Sequence, residues 1–378
     1  GFEQNVDYQL LHGAANTVWQ RYQNLQTHLP RVWQCVAKLK GLLNGDLFWD
    51  PITQIEKKSA EHPFVYDLTV DNEVFLAGHG GLFVHNSYTV KLEVLRSLML
   101  GTDVMIIDPE MEYKHLSDAV GGSYINISLA SDSKVNPFDL PRPVGEEVSV
   151  EDIIRSAVIT VKGLVRIMLG KVTTEEDSLI DRALLETYAK KDIVPGADLT
   201  KVEPPIMQDF ADVLEGMEGT KDILIRIKKY TEGTFAGLLN SPTTVDVKNQ
   251  LVVFSVRDLE DELRPMAIYT IVNHIWNVVR SESKKRILVI DEAWWLMQHE
   301  DSAKFVFALI KRCRKYYLGV TTITQDVNDF LTSPYGQAIV NNSALQLLMK
   351  QSPAAVEQIA KVFLLTQGEK YLLLESGL

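Results

Sequence analysis

The stretch Arg286-Ile-Leu-Val-Ile-Asp-Glu-Ala293 decides the fold class of this chain. Four apolar residues in a row, without the alternation of a half-exposed strand, are typical of a strand buried on both faces of a parallel sheet. Two acidic residues, Asp291 and Glu292, follow at the carboxyl end of this strand. Ligands gather at that edge of open α/β sheets, so we expect both carboxylates to lie in a functional site.

Apolar runs of the same kind recur along the chain, at Val104-Met-Ile-Ile107, Leu251-Val-Val-Phe254 and Leu318 to Ile323. Helical patterns cover residues 87–101, 263–280 and 301–315, and residues 150–240 look mainly helical. Strands that alternate with helices indicate an α/β fold over residues 87–378, with a parallel sheet covered on both faces.

The composition restricts the classes of partner. The chain has 378 residues and a net charge of −12, which argues against a broad basic surface for nucleic acid or anionic lipid. A local basic channel built in an oligomer stays open. Two cysteines, Cys35 and Cys313, do not make a disulfide framework and favour a reducing cytoplasm. The sequence shows neither a signal peptide nor an apolar stretch long enough to span a bilayer.

Residues 46–86 differ from the rest of the chain in their pattern of apolar and polar residues. Short β-type runs, such as Val74-Phe-Leu-Ala77, are broken by Asp, Asn, Pro and Gly, which predicts a small, mainly β unit. Residues 1–45 are polar and carry apolar side chains at helical spacing, so they predict a helical segment. A boundary between two folds therefore falls at Ser87.

The tripeptide His85-Asn86-Ser87 has a specific chemical meaning at this boundary. An asparagine can break the backbone after itself when its side-chain amide nitrogen attacks its own carbonyl carbon and closes a succinimide. The leaving amine then needs a proton donor, a role suited to histidine, and the migrating acyl group needs a hydroxyl or thiol nucleophile. The tripeptide alone is common, so a β-hairpin with a chance His-Asn-Ser is the alternative.

The longer pattern resembles the C-terminal splicing block of inteins, which have a fold of the Hint type. It consists of Val65-Tyr-Asp-Leu-Thr-Val70, Phe75-Leu-Ala-Gly78 and Leu82-Phe-Val-His-Asn-Ser87. The resemblance implies that Asp67 assists bond cleavage. A histidine usual within this block is replaced here by Glu73, which leaves the supporting role open between Glu73 and His79. Residues 1–45 would then belong to the intein. The end of an inserted homing endonuclease is one origin for this segment, which contains no acidic active-site motif of such an enzyme.

Ser87 also begins the segment Ser87-Tyr-Thr-Val-Lys-Leu-Glu93, which is typical of the helix that follows the Gly-Lys of a phosphate-binding loop. The residue directly before Ser87 is not a lysine, so Gly78-His-Gly-Gly81 does not form such a loop. The segment Gly163 to Lys171 is excluded as well, because its glycine spacing is wrong. We therefore expect the intein to lie between the P-loop lysine and Ser87, so that excision rebuilds Gly-Lys-Ser.

Several further segments occur in an order that narrows the family. They are Ile107-Asp-Pro-Glu-Met-Glu-Tyr113, Gly121-Gly-Ser-Tyr-Ile-Asn-Ile127, Val135-Asn-Pro-Phe-Asp139, Tyr230-Thr-Glu-Gly-Thr-Phe235, the Asp291-Glu292 strand, Arg314-Lys-Tyr to Gln325, and Ile339-Val-Asn-Asn-Ser343 to Gln351. The series is similar to the VirB/TraC-type ATPases of conjugation and type IV secretion, relatives of the HerA and FtsK pumps. This resemblance covers residues 87–378 and implies a RecA-like P-loop ATPase core with a helical insertion at about 140–245.

The same resemblance implies roles for individual residues. Asp291 and Ser87 would hold Mg²⁺, and Glu292 would polarise the water that attacks the γ-phosphate of ATP. Gln325, after the next strand, is the expected γ-phosphate sensor. Further nucleotide-binding residues are expected at Tyr88, Asp108 and Glu112. The pair Trp294-Trp295 after the acids is expected to serve in packing.

The resemblance also implies a homo-hexamer in the mature protein, acting at the cytoplasmic face of the inner membrane with inner-membrane secretion components and with DNA as a further partner. Arg312 and Arg314 are candidates for trans-acting arginines, although exposed basic residues on a helix are more often solvated. Two alternatives stay open: a DNA-translocating pump of the HerA/FtsK type, and a non-catalytic structural subunit in which residues 1–86 are a β-domain.

The junction chemistry predicts that the purified chain breaks after Asn86 on incubation. Mass spectrometry should show two fragments that meet at this bond, and the substitution Asn86→Ala should abolish the break because it removes the attacking amide. An intact mass after prolonged incubation of the unaltered chain would contradict this prediction.

Overall fold

The computed structural model describes residues 86–141, 149–324, 330–331, 333–349 and 353–375. The predicted helical segment at 1–45 and all but the last residue of the predicted β unit at 46–86 lie outside the described residues. The predicted site residues Asp67, His85 and Gln325 lie outside them too. For Asn86, Ser87 and Tyr88 the structure describes the backbone.

In the part of the chain that the structure describes, five parallel strands form one sheet. In chain order they are β1 (Asp103–Asp108), β2 (Ser123–Asn126), β3 (Leu251–Ser255), β4 (Arg286–Ile290) and β5 (Leu318–Thr322). Their order across the sheet is β2-β3-β1-β4-β5, so β1 is central. Its Met105 pairs with Val252 on β3 and with Leu288 on β4. Because all pairings are parallel, the carboxyl ends of the strands share one edge.

The helices in the described ranges are listed here in chain order: α1 (Asn86–Met99), α2 (Lys114–Val120), α3 (Val150–Leu169), α4 (Thr174–Ala189), α5 (Met207–Glu215), α6 (Lys221–Thr231), α7 (Ala236–Leu239), α8 (Arg264–Ser281), α9 (Trp294–Met297), α10 (Glu300–Cys313), α11 (Pro334–Asn342), α12 (Pro353–Val362) and α13 (Gln367–Glu375). A single 3₁₀ turn, Arg314–Tyr316, follows α10. No helix in the described ranges is both long and apolar enough to cross a membrane.

The two faces of the sheet bury separate apolar clusters. On one face, Val90 and Val94 of α1 pack with Val104 and Ile106 of β1. On the other face, alternate strand residues such as Ile107 pack against the inner side chains of α8 and α10. Burial on both faces explains why the strands are continuous apolar runs and not alternating ones. The predicted α/β class with a parallel sheet is confirmed for this part of the chain.

Helices α3 to α7 lie between β2 and β3 in the chain. The sequence sets the ends of α3 clearly: the Ser149 hydroxyl accepts a hydrogen bond from the Asp152 N–H, and Gly170 takes the positive φ of 72° that ends the helix. Helix α4 begins with a capping box in which Thr173 and Glu176 bond each other's backbone N–H groups.

The segment Val135-Asn-Pro-Phe-Asp139 leads into these helices and is anchored by buried contacts. The Asn136 side-chain amide donates to the carbonyl of Pro205 at 2.9 Å, and its oxygen accepts from the Phe138 N–H at 3.1 Å. The Phe138 ring is fully buried between Tyr188 and Phe210, with centroid distances of 5.9 and 6.3 Å. This motif therefore packs the core of the helical region.

Replacing Phe138 by Ala should lower the free energy of unfolding by about 3–5 kcal/mol, because it leaves a cavity beside the rings of Tyr188 and Phe210. Urea unfolding followed by tryptophan fluorescence measures this change. Ile159→Ala, at a side chain that is 61% exposed on α3, is the control and should cost less than about 1 kcal/mol. Equal losses in both variants would contradict the assignment of Phe138 to the core.

Candidate functional site

The carboxyl edge of the sheet brings acidic residues of two neighbouring strands together. Asp108 is the last residue of β1, and Asp291 and Glu292 directly follow β4. Because β1 and β4 are adjacent and parallel, these carboxylates converge. All three residues are buried. Glu112, four residues beyond Asp108, adds a fourth negative charge that acts on Asp291.

Asp108 shapes the loop that follows β1. Its two carboxylate oxygens accept hydrogen bonds from the backbone N–H groups of Glu112 and Tyr113, both at 3.0 Å. Burial raises the pKa of Asp108, and these hydrogen bonds oppose the rise. In the described structure Asp108 thus fixes the loop that carries Glu112. A direct contact of Asp108 or Glu112 with a nucleotide stays a prediction.

The carboxyl group of Asp291 is strongly perturbed by its surroundings. Burial, followed by the negative charges of Glu112, Glu292 and Asp108, raises its pKa to about 7. A desolvated carboxylate among like charges is stabilised by a cation, and Mg²⁺ prefers oxygen ligands and is commonly held by one or two carboxylates plus phosphates. The surroundings of Asp291 therefore suit a magnesium ion, and the predicted pairing of Asp291 with Ser87 stays a prediction.

Glu292 occupies a strained turn at the end of β4. Its backbone φ is 45°, in the left-handed region that residues other than glycine rarely adopt. Such a conformation persists mainly at functional sites. The turn is joined to the end of β5 by hydrogen bonds from the Ala293 N–H to the Ile323 carbonyl and from the Ile323 N–H to the Ile290 carbonyl, at 2.9 and 3.0 Å. The turn thereby holds Glu292 beside Asp291, whose Oδ1 accepts the Glu292 N–H at 3.0 Å.

Helix α1 presents its amino end to the same edge. Three residues join α1 to the start of β1, and the helix packs back along that strand, so its first residues lie near the strand's carboxyl end. The Lys91 ammonium lies 5.6 Å from the ring of Tyr113, which follows the β1 loop, and Glu93 accepts a long hydrogen bond from Thr321 of β5 at 3.5 Å. The backbone N–H groups at a helix start attract phosphate.

The candidate arginines lie elsewhere in the chain's own fold. Arg312 is in the last turn of α10 and Arg314 begins the 3₁₀ turn, just before β5 starts. They therefore stand at the amino edge of the sheet, opposite Asp291. The structure does not bring them to the acidic residues of the same chain, and a role in a neighbouring subunit stays a prediction.

Two residues near the acids were not identified from the sequence as site residues. The Trp294 indole N–H donates to Oε2 of Glu292 at 2.9 Å, so this tryptophan does more than pack. Arg264 lies over the Trp295 ring at 5.4 Å and contacts Glu110 in the β1 loop at 3.5 Å. The contact of Arg264 joins segments far apart in the chain, and no local sequence pattern predicts it.

The raised pKa of Asp291 predicts a pH-dependent stability. An unfolded aspartate ionises near pH 4, whereas folded Asp291 ionises near pH 7, so the folded protein loses stability as pH rises through this window. Asp291→Asn should be as stable as the unaltered chain at pH 4 and more stable by about 4 kcal/mol at pH 8. Denaturant unfolding at both pH values measures this, and a pH-independent difference would contradict the assignment.

Comparisons with known proteins place the chain in a family. The model of the family described as the TraG P-loop domain matches residues 55–376. That match begins inside the predicted splicing block, so it does not itself mark a junction at Ser87. The solved structure of VirB4 from Thermoanaerobacter pseudethanolicus is 29% identical, with a TM-score of 0.69 over 76% of this chain and 80% of that one.

Curated relatives match in two different ways. The type IV secretion system protein CagE of Helicobacter pylori is 22% identical over 262 residues, which are 66% of this chain and 26% of CagE. The chain thus spans about a quarter of that relative's length. A DNA polymerase of Thermococcus aggregans is 52% identical over 54 residues, or 14% of this chain and 3% of the polymerase. Fold, acidic edge and family match lead to one conclusion: the chain belongs to the TraG P-loop domain family.

Proposed function

We propose that this chain is the precursor form of a type IV secretion or conjugation ATPase, whose phosphate-binding loop is interrupted by an intein that ends at Asn86. The ATPase part of the proposal rests on the pair Asp291-Glu292, which directly follows β4. The pair lies beside Asp108, at the same edge of the sheet as the start of α1. The similarity to VirB4 and CagE, both type IV secretion proteins, supports the same assignment.

In the mature protein, Asp291 and Ser87 would hold Mg²⁺, which when bound neutralises charge on the β- and γ-phosphate oxygens of ATP. Glu292 would accept a hydrogen bond from the attacking water and orient it. Gln325 would contact the γ-phosphate, while Tyr88 and Glu112 would line the nucleotide. Because Asp291 must be ionised to bind a cation, Mg²⁺ affinity should rise as pH increases through about 7.

The intein part of the proposal has separate support. A 54-residue stretch is 52% identical to a DNA polymerase, whereas a 262-residue match to CagE has 22% identity. A short, highly similar stretch shared by two otherwise different proteins is what an inserted, mobile element predicts. Asn86 and Ser87 stand at the start of α1, which is where an insertion would separate a P-loop lysine from its helix.

We further propose that the mature ATPase forms a homo-hexamer at the cytoplasmic face of the inner membrane. There it would work with inner-membrane secretion components in pilus assembly and in the transfer of protein or DNA. Arg312 or Arg314 would act on the nucleotide of a neighbouring subunit, since both stand at the edge opposite Asp291 of their own chain. Stimulation of hydrolysis by added DNA would instead favour a DNA-translocating pump.

The test uses the joined ATPase, in which the gene segment that precedes the intein replaces residues 1–86. Glu292→Gln should lower kcat for ATP by about 100-fold or more and leave ATP binding intact, because it removes the group that orients water and keeps the side-chain volume. Glu300→Gln, at an exposed residue of α10, is the matched control and should behave as the unaltered protein. Equal kcat values in the Glu292→Gln and unaltered proteins would exclude the proposed role.

A further inference from the structure

The hydrogen bond between Trp294 and Glu292 is unusual in its donor. An indole N–H donates and never accepts, so it constrains an acceptor without competing for its protons. The acceptor here is Oε2 of Glu292, at 2.9 Å, two residues earlier in the chain. The bond spans the strained turn at Glu292 and therefore fixes the carboxylate relative to the backbone that follows β4.

The direction of the indole is set by its neighbours. The Trp294 ring stacks on Trp295 with a centroid distance of 4.2 Å and an interplanar angle of 25°. Trp295 is buried, and the Arg264 guanidinium lies over its ring at 5.4 Å. The half-buried indole of Trp294 thus packs against the buried ring of Trp295, and its N–H cannot turn away from Glu292 without breaking this stack.

Arg264 connects the stacked rings of Trp294 and Trp295 to the loop after β1. Its guanidinium donates to the carbonyls of Leu259 and Arg257, both at 3.1 Å, and contacts the carboxylate of Glu110 at 3.5 Å. Glu110 lies in the loop that Asp108 shapes. The carboxylate of Glu292 is therefore connected through two indole rings and one guanidinium to the loop on the neighbouring strand.

We propose that Trp294 is a positioning residue for ATP hydrolysis, which holds Oε2 of Glu292 and so helps to fix the orientation of the carboxylate that acts on the attacking water. This inference rests on the proposed ATPase function. Trp294 does not supply the proton acceptor itself. Its loss should therefore reduce kcat, since the carboxylate then lacks one of the contacts that fix its orientation. The KM for ATP should stay unchanged, since the bond is made to Glu292 and not to Asp291.

The hydrogen bond itself can be tested in the chain as it exists. With ¹⁵N-labelled tryptophan, the indole N–H resonance that disappears in Trp294→Phe is assigned to Trp294. Glu292→Gln should move this resonance upfield, because a neutral amide oxygen is a weaker acceptor than a carboxylate. The Trp276 resonance, on α8 beside Tyr316, should stay in place. An unmoved Trp294 resonance would overturn the inference.

The kinetic test uses the joined ATPase. Trp294→Phe keeps an aromatic ring and should lower kcat by about tenfold or more with the KM for ATP unchanged. Trp276→Phe is the matched control and should leave both constants unchanged. An active unaltered enzyme with the same kcat in Trp294→Phe would overturn this inference alone. An inactive unaltered enzyme would instead overturn the proposed ATPase function, and with it the role of Trp294.

Discussion

The parallel pairing of β1 with β4 is the constraint on which the rest of this structure depends. It places Asp108 and Asp291 at one edge of the sheet and confines negative charge where little water reaches it. A fold gains no stability from such crowding, as the raised pKa of Asp291 shows. The arrangement is understandable when a cation with bound phosphates completes it. The loop after β1, the turn after β4 and the start of α1 all lie at that edge.

The same edge explains why residue 87 has two successive roles in the proposed scheme. As the first residue after the junction, Ser87 would offer its hydroxyl to the migrating acyl group. After excision, the same hydroxyl would be a magnesium ligand of the rebuilt phosphate-binding loop. An insertion before Ser87 separates the lysine from its helix, whereas the five strands of the described residues all follow Ser87 in the chain. The precursor would therefore hold a folded core whose nucleotide site is incomplete.

Much of the fold could be predicted from the sequence because burial on both faces of the sheet leaves a strong local signal. The apolar runs predicted at residues 104–107, 251–254 and 287–290 lie in strands, and the run predicted at 318–323 contains strand β5, which ends at Thr322. The acids after β4 lie at the predicted edge. Strand β2 was not predicted, since four residues of mixed polarity, Ser123–Asn126, carry no such pattern. The Trp294 bond and the Arg264 contact were not predicted either, because they depend on side-chain directions and on segments that meet only in the folded chain.

The coding sequence upstream of Gly1 tests the central claim most directly. The account predicts a glycine-rich stretch that ends in Gly-Lys, follows an apolar strand, and is itself followed by a Cys or Ser that begins an intein. Read together with Ser87, it would then restore Gly-Lys-Ser. A continuous β-domain with neither a Gly-Lys loop nor an intein start would contradict the interrupted P-loop, and with it the proposed double role of Ser87.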